Sequence, residues 1–189
     1  MEVVGSSPIR LTKTLIATRS EGFFIVWPPV LPPDVITSNK AYLIDSVSPY
    51  LFGLLSSTTH MAWMRTVAGR MKSDYSYSGS LVYNNYPFPL APIEAQRQAV
   101  TAAAEAVLAA RAAFPGESLA ALYDPTTMPP ALARAHAALD RAVDRCYRPQ
   151  PFATELARLE FLFGLYQQLS APVLGAAPKA KSRVRGSVQ

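Results

Sequence analysis

The sequence predicts an α+β protein: a mixed α/β portion in residues 1–90, followed by a mainly three-helix domain in residues 91–171. Three observations lead there. Short runs of β-branched and aromatic residues crowd the first half. An alanine-rich stretch with apolar residues three or four apart fills the second. Between them Pro87, Pro89 and Pro92 break any continuous element. With 189 residues, half of them hydrophobic, the chain is long and apolar enough to bury a core.

In chain order, Thr14–Thr18 and Phe23–Trp27 read as strands around a Glu21-Gly22 turn. Four prolines between 28 and 33 force an extended connection, and residues 34–38 and 41–45 read as two further strands turning at Asn39-Lys40. Ser48-Pro49 is a helix start: a hydroxyl to cap the free amides, then proline where no N–H is needed. A short helix over 50–55 follows, then a second over 57–68, stopped by Gly69. Residues 73–77 read as extended and Leu81–Tyr83 as a strand.

From Pro92 onward the period changes to that of a helix. Ile93, Val100, Ala103, Val107, Ala110 and Phe114 fall on one face, and Pro115-Gly116 stops the helix. Ser118–Tyr123 adds one turn. A second helix starts at Pro129-Pro130 with Thr127 as its cap, and its stripe is Leu132, His136, Leu139, Val143 and Tyr147. Asp140 and Asp144, one turn apart between Arg141 and Arg145, read as its solvated surface. A third helix carries Phe152, Leu156, Leu159, Phe163 and Tyr166. The three are expected to bury their stripes against one another. Residues 172–189 form a tail expected to be disordered.

The net charge is +5, and Lys179, Lys181, Arg183 and Arg185 in that tail supply most of it. Charge alone therefore points to no partner: such a tail adds salt-sensitive affinity for DNA or is simply solvated. No apolar run reaches the length of a membrane span, and the first residues lack the pattern of a secretory signal. Cys146 is the only cysteine, so no internal disulfide forms, and a reducing cytoplasm is expected. One cysteine with His60 and His136 makes no zinc site.

The chemistry concentrates between His60 and Pro89. Arg65 and Arg70 can neutralise backbone phosphates. Lys72 can donate to guanine and Asp74 can accept from cytosine; two apart on an extended backbone, they share a face. The same pair also fits a surface ion pair, and Arg65 and Arg70 fit helix-end charges. Ser73, Tyr75 and Tyr77 complete the candidate contacts, although tyrosines in such extended runs more often fill a core or half-buried position. Catalytic patterns are lacking. There is no glycine-rich loop for a cofactor, and Ser56, Ser57 and His60 have no oxyanion motif or orienting acid beside them. Asn85-Tyr86-Pro87-Phe88 is like the Asn/Asp-Pro-Pro-aromatic tetrapeptide of amino-methyltransferases but lacks its first proline, and reads as a structural exit.

Four runs in order carry a resemblance: LFGLLSSTTHMAW (51–63), AGRMKSDYSYS (68–78), VYNNYPFP (82–89) and LYDPTTMPPALARAHAALDRAVDRCY (122–147). The chain resembles the C-terminal part of the MmeI-type (type IIG/IIL) restriction–modification enzymes, DNA adenine-N6 methyltransferases, from about residue 9 to 169. The resemblance implies a partial DNA target-recognition domain in 1–90 and a helical domain behind it. It places Lys72 and Asp74 at base edges and Arg65 and Arg70 at the backbone of double-stranded DNA. It further implies a recognition fragment or subunit with no activity of its own, and S-adenosylmethionine as cofactor of the full-length enzyme only. The alternative is a helical module that docks on a separate methyltransferase chain.

Overall fold

A computed structural model describes residues 15–17, 25–26, 42–44, 48–71 and 74–174. The fold is α+β, with helices dominating. Strands β1 (Leu15–Ala17), β2 (Ile25–Val26) and β3 (Tyr42–Ile44) form an antiparallel sheet in the order β2-β1-β3. Each falls inside a run that the sequence marks as extended. The expected strand at 34–38 and the turns at 21–22 and 39–40 lie outside the described residues.

Helix α1 (Pro49–Ser56) begins where Ser48 accepts a hydrogen bond from the Leu51 amide, with proline in the first turn. Such a cap is worth about 1 kcal/mol. Ser57 ends α1 and caps α2 (Thr58–Val67), accepting from the His60 amide. One residue thus serves two helices and sets their corner. Gly69 opens a tight antiparallel hairpin, β4 (Gly69–Met71) with β5 (Asp74–Ser76), in which Arg70 faces Tyr75 and Met71 faces Asp74.

The expected strand at Leu81–Tyr83 is instead a π-helical turn, Gly79–Tyr83. Ser78 caps it, the Asn84 amide reaches back to the Gly79 carbonyl, and the Asn85 side-chain amide donates to the Ser80 and Leu81 carbonyls. The Trp63 indole N–H takes the Val82 carbonyl at 3.1 Å, so the turn is tied to α2 rather than to a neighbouring strand.

Helix α3 (Glu94–Ala112) starts one residue after Ile93, whose backbone N–H bonds the Gln96 side chain; Gly116 follows its end with φ +94°, a conformation that suits glycine. Ile93 and Phe114 are exposed, and Ala104 is the fully buried alanine of the face, not Ala103. A one-turn helix α4 (Leu119–Leu122) leads to α5 (Pro130–Tyr147). Its N-cap is Pro129, and the expected cap Thr127 instead donates to the Ala121 carbonyl. Helix α6 (Glu155–Leu174) begins after Phe152, with Thr154 bonding the Ala157 amide. It also takes in residues 172–174, which the sequence assigns to the tail.

The three long helices do not form the expected self-contained bundle. Helices α3 and α5 pack on each other and on α1, so Phe52, Leu54 and Leu55 share one core with Val100, Ala104, Val107, Leu132, Leu139 and Val143. Gly53 permits the approach of α1: a Cβ there would stand 2.9 Å from Val100 and 3.1 Å from Ala104 and Leu139. Helix α6 packs chiefly on α2, burying Leu162 with Trp63, Met64, Tyr77, Val82 and Tyr86, while Leu156 is 65% exposed. The apolar stripe read for α6 is therefore rotated from the face it buries.

Candidate nucleic-acid interface

The hairpin β4–β5 is the exposed edge of the second, aromatic core. Its two strands hold the ring of Tyr75 under Arg70: the guanidinium carbon lies 4.5 Å from the ring centre, and Nη2 donates to the tyrosine hydroxyl at 3.0 Å. This cross-strand pair fixes a cation at the surface, because stacking and a hydrogen bond act on one side chain. Lys72 and Ser73, and with them the expected shared face of Lys72 and Asp74, lie outside the described residues, and of Asp74 only the backbone is described.

Tyr77 turns inward. It is 7% exposed, and its hydroxyl lies 3.3 Å from His60 Nε2. His60 is fully buried and stands edge-on to Tyr86 with 4.6 Å between ring centres. Burial lowers its pKa from 6.5 to about 3, so it is neutral at physiological pH. Tyr86 pairs with Tyr147 through hydroxyls 2.8 Å apart, and the Tyr147 hydroxyl also lies 3.1 Å from the Pro87 carbonyl. Asn85 is committed to the π turn and Tyr86 to Tyr147. In the tetrapeptide-like segment the Pro87 carbonyl and the Tyr86 ring are thus taken up by packing against Tyr147, and the Asn85 amide nitrogen by the π turn, as a structural role requires.

Arg65 and Arg70 are both exposed and are held by different partners, Glu155 and Tyr75. Arg65 bonds Glu155 of α6 at 3.2 Å, across two half-exposed side chains. Such a pair is worth roughly 0–1 kcal/mol and releases easily. The aspartates expected on the surface of α5 have other work. Asp144 is 7% exposed, takes both Nη2 (2.7 Å) and Nε (3.2 Å) of Arg158, and accepts from the Thr59 hydroxyl at 2.8 Å. Asp140 accepts from the Thr58 amide at 2.8 Å, and burial raises its pKa against that bond. Both clamp the start of α2 onto α5. Their spacing and flanking arginines carried no signal of this, because the partners lie more than eighty residues away.

A cavity of about 380 Å³ opens between the α1–α2 corner and α5. On its far wall Arg111 donates to the Tyr123 hydroxyl, which in turn pairs with His136, while the Ser56 hydroxyl is buried in the lining without a hydrogen-bond partner among the described residues. Burial and the Arg111 charge lower the His136 pKa from 6.5 to about 4. Among the described residues no cluster of metal ligands forms, and no helix is long and apolar enough to cross a membrane.

Comparison with known proteins assigns the two parts. Residues 19–90 match the family described as MmeI, target recognition domain, and residues 93–174 match MmeI, C-terminal domain. DNA methyltransferase A of Bacillus subtilis (strain 168) is 40% identical over 154 residues, covering 82% of this chain and 17% of that protein. A solved structure of the type IIL restriction-modification enzyme MmeI in complex with DNA superposes with a TM-score of 0.79 at 46% identity, over 87% of this chain and 22% of that one. The chain thus spans about a fifth of the length of the relatives it matches. It belongs to the MmeI restriction–modification family and carries that family's target recognition domain followed by its C-terminal domain.

Proposed function

We propose that this chain reads the DNA target for a type II restriction–modification adenine-N6 methyltransferase. The observation that carries the reading is the hairpin: Arg70, stacked and hydrogen-bonded on Tyr75, is held at the surface beside the segment 72–74. The match of this region to a target recognition domain and its likeness to MmeI, solved in complex with DNA, support it. In this reading Lys72 and Asp74 meet a G·C pair. Arg70 and Arg65 hold phosphates, Arg65 by leaving Glu155. Ser73 and Tyr75 lie against the backbone, and buried Tyr77 positions the hairpin from beneath.

Methyl transfer requires S-adenosylmethionine, and we assign its binding to a catalytic region other than these residues, in the same polypeptide or on a separate methyltransferase chain.

The test is specificity profiling in the full-length or reconstituted enzyme. Lys72→Glu with Asp74→Arg exchanges donor and acceptor, and the preferred base should change at one position while the rest of the site is kept. A phosphate role predicts uniform weakening instead, with the salt slope reduced by about one per lost contact. An unchanged site with full activity removes both residues from base readout.

A further inference from the structure

Helix α5 turns one face into the core and carries a row of arginines along the opposite face. Taking about 100° per residue, Leu132, Leu139 and Val143 cluster within about 20° of one direction, and Arg134, Arg141 and Arg145 cluster within about 20° of nearly the opposite one. The first three are fully buried and the three arginines are exposed.

The acids that would be expected to offset these charges are drawn away. Asp140 is held by the Thr58 amide and Asp144 by Arg158 and Thr59, on the flank that meets α2 and α6. Among the described residues Arg134, Arg141 and Arg145 make no ion pair; the two pairs that form are Arg65–Glu155 and Arg158–Asp144. At the C-terminal end of the row, Arg141, Arg145 and Arg148 frame a depression of about 150 Å³ with Pro149 and Pro151, and Asp144, already neutralised by Arg158, contributes to its wall.

We propose that the outward face of α5 is a docking strip for the sugar–phosphate backbone of duplex DNA, separate from the base-reading hairpin. This rests on the reading of the chain as a DNA-recognition unit. A 1.5 Å rise per residue puts the three arginine positions about 10 Å and about 6 Å apart along the helix axis. A row of cations without ion-pair partners among the described residues complements a polyanion; at the depression Arg141 and Arg145 can reach one phosphate, beside Arg148, whose guanidinium is held by the Gln150 and Pro151 carbonyls and the Phe152 ring. The strip reads no sequence. It adds register and salt-dependent affinity from the C-terminal domain.

The experiment uses the whole 189-residue chain with Arg134→Gln, Arg141→Gln and Arg145→Gln together. Glutamine keeps helix propensity and leaves the buried face intact, and circular dichroism confirms the fold. Binding to a mixed-sequence duplex of about 30 base pairs is titrated from about 50 to about 200 mM salt. The variant should lose roughly tenfold or more at the low-salt end, and the slope of log affinity against log salt should fall by about 2.7, or about 0.9 per contact. Sequence preference, profiled in the full-length or reconstituted enzyme, should persist. A wild-type chain that binds with a variant slope unchanged overturns the strip alone. A wild-type chain that binds no duplex overturns the recognition reading with it. Loss of sequence preference without change of slope also overturns the strip, since phosphate contacts cannot produce it.

Discussion

The two cores of this molecule are built from different material. The one formed by α1, α3 and α5 is largely aliphatic and tight: leucines, valines and Ala104 around the buried ring of Phe52, with Gly53 letting backbones close in. The one formed by α2, the hairpin, the π turn and α6 is aromatic and polar, with Trp63, Tyr77, Tyr86 and neutral His60 joined by hydrogen bonds and ring edges. The aliphatic core gives a rigid base whose tolerance is steric. The aromatic core, directly beneath the exposed Arg70–Tyr75 pair, specifies positions through bonds that admit few arrangements. A surface that must hold a few side chains in register is better supported by the second kind. Between the cores sits the Asp144–Arg158–Thr59 clamp, and three experiments probe the division.

The largest effect is expected at the clamp. Asp144→Ala leaves the Arg158 guanidinium, 13% exposed, without its counter-charge, at a cost of about 3–5 kcal/mol in urea unfolding. Asp144→Leu with Arg158→Met should recover most of that, because the penalty comes from the orphaned charge and not from a strong pair. Equal losses in the single and double variants would mean the clamp is held by geometry rather than charge.

Acidification should act on the aromatic core. His60 has a folded pKa of about 3 against 6.5 unfolded, so below pH 6.5 the unfolded chain gains a proton that the native core refuses. Stability from this group is complete above pH 6.5 and declines as pH falls toward 3. Between pH 7 and 5 the loss is about 2 kcal/mol at 1.36 per unit. His136 contributes in the same direction, down to about 4, while Asp140, whose pKa is raised, opposes it. His60→Gln has nothing to titrate and should lose less stability than the wild type over that interval. Parallel losses in both proteins would place the neutral buried imidazole in doubt.

The smallest effect belongs to the aliphatic core. Gly53→Ala adds a methyl 2.9 Å from Val100. Overpacking costs about 1–3 kcal/mol, and the helix propensity of alanine returns about 1, leaving a net loss of about 0–2 kcal/mol. Gly53→Ala with Val100→Ala relieves the clash and should restore part of it. A stabilised single variant would show that α1 can back away from α3.

Local chemistry was legible in the sequence because its causes are local. Ser48-Pro49 starts α1, Ser57 starts α2, Pro115-Gly116 follows the end of α3, and the change of period at Pro92 separates the two modes of folding. The order of four motifs carried the family, and through it the hairpin as the place to look. What only the tertiary structure decided is pairing. Periodicity says that a helix has an apolar face but not which element will cover it, so α6 went to α2 and buried Leu162 while leaving Leu156 exposed. Leu81–Tyr83 has strand composition, yet the Trp63 indole and the Asn85 amide bind a π turn, and such contacts outweigh β propensity. Asp144 has the neighbours of a surface residue. Its burial depends on Thr59 and Arg158, 85 and 14 positions away, which no local pattern encodes.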